Sequence, residues 1–181
     1  MGRGISGIIP ITFSIAKGYY TSDYEQNRDD LIKRSSPNFF DCFNREEDDQ
    51  YKELFSIKSE LLLPNLKEFM IEFHALIEYK DVFDSMAKFN DEKYDKILAN
   101  KDIDAFLEYF SANDGTMPYY TGVYIGFSAT KPIDCHRYLI FYMGSYKALL
   151  EEYSTLRHLE VILGKTLRNP LAQLLQIGIY G

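Results

Sequence analysis

Apolar and polar residues alternate along Ile9, Pro10, Ile11, Thr12, Phe13, Ser14 and Ile15. Period-2 alternation of this kind predicts a strand with one buried face. Pro10 suits an edge or the start of such a strand, because it has no N–H to give a neighbour. A second alternation, Val123, Ile125 and Phe127 against Tyr124, Gly126 and Ser128, predicts a strand near 121–128. Tyr138 to Met143 is nearly continuous apolar and aromatic, the composition of a central strand near 137–143. Ala129 to His136, with Lys131-Pro132 inside it, reads as a loose hairpin loop joining the two.

Between these strands the period changes to that of a helix. Tyr24 to Lys33 is a short helical candidate, stopped by Ser36-Pro37-Asn38, and the charged run Arg45 to Gln50 reads as a loop or a first helical turn. Leu66, Phe69, Met70, Phe73, Leu76 and Ile77 recur at helical spacing and predict a helix over 64–79, with Pro64 in its first turn. Val82, Phe83, Met86 and Phe89 predict a shorter piece; Tyr94, Ile97 and Leu98 begin another. Ile103, Phe106, Leu107 and Phe110 repeat the stripe behind Asp102, a residue type that caps helices well. After the turn Asn113-Asp114-Gly115, Ser145 opens a helix carrying Leu149, Leu150, Tyr153, Leu156 and Leu159 to about Gly164. Asn169-Pro170 restarts a short helix, and Ile177 to Tyr180 is a candidate closing strand. Because strands and helices do not alternate as βαβ units, the expectation is an α+β fold. It is a mainly helical single domain with a small, mostly antiparallel β-sheet.

Composition adds bounds. A chain of 181 residues buries a full core without staples. Its two cysteines, Cys42 and Cys135, are too few for a disulfide framework and read as free thiols. No apolar run reaches the ~20 residues of a membrane helix. The apolar stretch after Arg3 imitates a signal peptide but is interrupted by Pro10, Thr12 and Ser14. Met1, Gly2 and Ser6 fit a myristoylation pattern with no basic cluster behind it. The expected location is cytoplasmic.

Charge changes the picture more. Glu68 to Asp114 holds 12 Asp/Glu against 5 Lys/Arg and so carries the whole net charge of -7. Such a concentration, with tyrosines around it, suits steering of a cationic protein partner. The candidate partner-binding residues are Asp81, Asp84, Asp91, Glu92, Asp95, Asp102, Asp104, Glu108 and Asp114, with Tyr94, Tyr109, Tyr119 and Tyr120 as aromatic anchors. Direct nucleic-acid binding is disfavoured, since no basic stripe tracks a phosphate backbone.

Several catalytic or cofactor patterns are approached and not met. Gly2, Gly4 and Gly7 satisfy G-x-G-x-x-G, but a strand-like run follows them where a helix is required. Gly164-Lys165-Thr166 resembles the end of a phosphate loop, yet Leu159 stands where its first glycine belongs. His74 has Glu78 one helical turn along, but one His and one carboxylate do not make a metal site, and His158 has no second ligand at i±4. The paired carboxylates, such as Asp91 with Asp95, are interleaved with lysines as on a solvated helix face. No cofactor or metal is expected. The alternative to a binding protein is a small hydrolase using Cys135, or a carboxylate cluster, with one of the histidines.

In overall type (small, acidic, rich in Tyr and Phe, without cofactor motifs) the chain resembles bacterial immunity proteins that neutralise contact-delivered toxins. The resemblance rests on no motif and carries over no residue. It implies an inhibitor that masks a basic toxin such as a nuclease.

Overall fold

In a computed structural model, residues 4–15, 21–35, 38–48, 52–77, 91–109, 119–122 and 133–180 are described. They form an α+β fold. Six strands make one antiparallel sheet: β1 (Gly4–Ile15), β2 (Phe43–Asp48), β3 (Lys52–Ile57), β4 (Tyr119–Gly122), β5 (Ile133–Ser145) and β6 (Gln176–Tyr180). Among the described residues there are six α-helices: α1 (Thr21–Arg34), α2 (Ser59–Ile77), α3 (Glu92–Asn100), α4 (Ile103–Tyr109), α5 (Tyr146–Tyr153) and α6 (Leu156–Thr166). Short 3₁₀ turns occupy Phe40–Cys42 and Pro170–Leu174.

The organising element is β1. One edge pairs with β5 along almost its whole length, from Gly4 opposite Ser145 to Ile15 opposite Ile133. The other edge is divided. Gly4 to Ile8 pair with β6, and Thr12 to Ser14 pair with β3. Pro10 falls between those two partners and beside a register irregularity with β5. A missing N–H is tolerated at such a point, so β1 holds a proline in its interior while lying at the centre of the sheet, where an edge or a strand start was expected.

Buried side chains from β1, β3, α2 and the 3₁₀ turns form one cluster. Phe13 and Phe55 are cross-strand partners with rings stacked 4.8 Å apart, and Phe43 meets Phe13 edge-on at 4.9 Å. Pairs of this geometry add about 0.5–1.5 kcal/mol each beyond their burial. A Cβ at Gly7 would come 2.9 Å from Leu175 Cδ1 and 3.5 Å from Phe73 Cζ. Glycine there lets α2 and the second 3₁₀ turn close onto the sheet.

Several boundaries differ from the sequence expectation, beginning with β1, which starts at Gly4 and not near Ile9. α2 begins at Ser59, so Pro64 is inside the helix. Leu62 and Leu63 extend the buried stripe upstream, while Pro64 itself faces solvent. The charged run at Arg45 is strand β2, and β5 begins at Ile133 inside the expected loop. The single helix expected from Ser145 to Gly164 is two, α5 and α6, broken where Ser154 takes a left-handed φ of 66° and Thr155 caps α6. The short helix at Tyr24, the stripes at Tyr94 and Ile103, the restart at Asn169 and the strand at Ile177 are all present. The helical piece expected over 82–89, and the body of the strand near 121–128, lie outside the described residues.

Candidate functional site

The acidic region becomes two short helices joined at a tight corner. Asp91 is the N-cap of α3: its Oδ1 accepts from the Lys93 N–H at 3.0 Å, and its Oδ2 accepts from the Tyr109 hydroxyl at 2.9 Å. The two bonds, the backbone one first, hold the Asp91 carboxyl below its ordinary range. Burial, and then the bond to Asp91, push Tyr109 up to about 12. At the other end of α3, Lys101 adopts φ 52° and its N–H reaches back to the carbonyls of Ile97 and Leu98. Asp102 then caps α4, its Oδ1 accepting from the Ala105 N–H at 3.0 Å. The cap expected from the sequence is present. Tyr109, at the end of α4, therefore ties back to the start of α3, and the pair closes on itself.

The inward face is fixed by Tyr94, Ile97 and Phe106, all buried. Tyr94 donates to the Leu63 carbonyl of α2 at 2.6 Å. Burial raises its pKa to about 12. The expectation that Tyr94 offers contact surface is thus corrected: its ring is 4% exposed and belongs to the core. The sequence already contained the reason, since Tyr94 shares the Ile97 stripe and cannot also face outward.

The outward faces carry Asp91, Glu92, Asp95, Asp102, Asp104 and Glu108, all exposed. Asp104 meets Arg137 of β5 at 3.2 Å in a solvent-facing pair, worth at most about 1 kcal/mol. Lys93, Lys96 and Lys101 are exposed among them. A shallow groove of about 490 Å³ between the helices is lined by Lys93, Lys96, Ile97, Ala105, Glu108 and Tyr109. Tyr109 is half-buried on its rim. Tyr119 and Tyr120 lie in β4, opposite Phe141 and Ile140, and their side chains fall outside the description. Asp81, Asp84 and Asp114 lie outside the described residues.

Three other carboxylates are used differently, and none was singled out from the sequence as a site residue. Glu53 of β3 is 5% exposed. It accepts from Arg28 Nε of α1 at 3.1 Å, pairs with Arg45 of β2 and accepts from the Tyr24 hydroxyl. Desolvation raises its pKa, but the bonds from Tyr24 and Arg28 and the two guanidinium charges outweigh it, and the net shift is downward. Tyr24 is pushed up to about 12, by burial first and by Glu53 second. Glu72 of α2 accepts from the backbone N–H groups of Arg168 and Asn169, fastening the chain between α6 and the second 3₁₀ turn. Glu160, buried in α6, accepts from Arg157 Nη1 at 2.7 Å.

For the hydrolase alternative, Cys42 is buried and free; its thiol donates to the Asn38 carbonyl at 3.4 Å. Burial, then Asp41, push its pKa up, the reverse of an activated thiolate. Cys135 pairs with Phe13 in the sheet; its side chain and those of His74 and His136 are outside the description. His158 is exposed, with Nδ1 on the Tyr153 carbonyl at 2.6 Å. Among the described residues no three His, Cys, Asp or Glu side chains converge as metal ligands, and no helix is long and apolar enough to cross a membrane.

Compared with protein-family models, with curated proteins and with solved structures, the chain finds no match in any of the three.

Proposed function

We propose that this chain is a protein-binding module whose acidic α3–α4 face docks a basic protein, acting as an immunity-type inhibitor of a basic toxin such as a nuclease. The observation that carries this reading is the exposure of six carboxylates on a two-helix unit that buries Tyr94, Ile97 and Phe106 behind them. Charges on a fixed scaffold hold their geometry before contact, so less ordering is needed on binding. Their long-range field steers encounter and can raise association rates to ~10⁸ M⁻¹s⁻¹ at low salt. The half-buried Tyr109 at the groove supplies a rigid ring at the margin of that field. Partner binding needs no cofactor, metal, nucleic acid or membrane.

The test reverses Glu92, Asp95 and Glu108 to lysine together, leaving the capping residues Asp91 and Asp102 in place. Stopped-flow association is measured against the purified product of the neighbouring gene across a salt series. Association should slow by at least about tenfold at low salt, with a flatter salt dependence. An unchanged rate and slope, with circular dichroism showing an intact fold, would reduce the α3–α4 face to a solvated surface.

A further inference from the structure

A cleft of about 530 Å³ runs along α6 between the C-terminal end of α1 and the second 3₁₀ turn. Its rim carries three cations, Lys33, Arg157 and Lys165, against one carboxylate, Glu160, which is already engaged with Arg157. Its floor is apolar and includes the buried side chains of Leu167, Ala172 and Leu175. The volume lies in the range of small-molecule sites, and an apolar floor with a few polar groups at the mouth is their usual make-up.

Cations near helix C-termini have an ordinary use, which is to offset the negative dipole end. Three carbonyls in the closing turns of α1 and α6 are met by groups other than these lysines. The Leu31 carbonyl accepts from Ser35 N and Oγ, the Ile162 carbonyl from Thr166 Oγ1, and the Leu163 carbonyl from Leu167 N. Lys33 and Lys165 are exposed, and both line the cleft.

Gly164 supplies an independent observation. It lies within α6, where glycine is the poorest helix former after proline. Its backbone is helical, and a Cβ built on it meets nothing within 4 Å. Neither conformation nor packing requires a glycine, unlike Gly7, where Leu175 and Phe73 crowd the position. Gly164 lines the cleft, and any larger side chain would project into free space beside it.

We propose that this cleft is a binding site for a small organic anion with an apolar body, a carboxylate or phosphate monoester. The acidic group meets Lys33, Arg157 and Lys165, while the apolar body rests on Leu167, Ala172 and Leu175. Gly164 keeps the entrance clear. The site is separate from the α3–α4 face and stands whether or not that face binds a protein.

Isothermal titration of the full chain with phenyl phosphate, benzoate, inorganic phosphate and benzyl alcohol tests it. Phenyl phosphate or benzoate binds, and inorganic phosphate and benzyl alcohol bind at least about tenfold more weakly, since each lacks one half of the recognition. The stronger of the two aromatic anions identifies the head group. G164L fills the cleft and lowers that affinity at least about tenfold while circular dichroism stays unchanged. The K33E/K165E double variant does the same and decides the matter if G164L does not fold. Failure of both aromatic anions to bind, equal binding of benzyl alcohol or inorganic phosphate, or unchanged affinity in a folded variant overturns the proposal.

Discussion

The corner formed by α1, β2 and β3 and the pair α3–α4 are both built from acidic and basic residues in close succession, and they use them in opposite ways. At the corner, Glu53 is buried and receives Tyr24, Arg28 and Arg45. In the helical pair, Glu92 and Asp95 stand in solvent on helices whose apolar side is inward. A carboxylate's role follows from how many donors the fold converges on it, and the number of acids in a segment does not reveal this. Desolvating Glu53 demands partners, and once it has them their removal is costly. An exposed Asp95 demands none and stays available to a partner.

The largest effect expected from this contrast is at Glu53. E53Q should lower unfolding free energy by about 2 kcal/mol at neutral pH, below the full cost of a broken buried pair because Arg28 and Arg45 still reach water. The folded pKa of Glu53 lies below the ordinary 4.5. Its contribution is therefore present above about 4.5 and is lost as pH falls through the folded value. Urea unfolding from pH 7 down to 3 should show E53Q losing less stability than wild type over that acid limb. Next comes D91A, which removes both the α3 cap and the acceptor for Tyr109 and should lower the urea midpoint less than E53Q does. Y94F loses the bond to Leu63 but keeps the ring in the core, and should cost about 1 kcal/mol by the same measurement. Smallest is D95N, within about 0.5 kcal/mol of wild type, as for exposed substitutions away from caps and networks. If D95N costs as much as E53Q, the two regions do not differ as described.

Much of the helical layer could be read from the apolar stripes, because α2, α3 and α4 each present one continuous face to the core. The β2–β3 hairpin was hidden for a physical reason. In β3 the inward side chains are Glu53, Phe55 and Ile57, and period-2 alternation is invisible when its first buried member is a carboxylate. The donors that make Glu53 tolerable come from α1 and β2, so no local window holds the signal. β2 is charged along its exposed length, which suits an edge strand that must not pair further. Ser154 broke the last long helix without the glycine that usually marks a left-handed residue. Of the site, the exposed carboxylates and the Asp102 cap were legible. The anion cleft was not, since Lys33 and Lys165 are brought together only by tertiary packing.

The divided edge of β1 has a kinetic corollary. Residues near position 5 and residues near position 179 are direct neighbours in the sheet, among the longest sequence separations this chain allows. High contact order slows folding, because the loop-closure entropy must be met before such pairings return anything. During synthesis, residues 4–8 of the first strand therefore wait for residues 176–180 to emerge before that edge is covered. For that interval, shielding by a chaperone is the natural protection against aggregation.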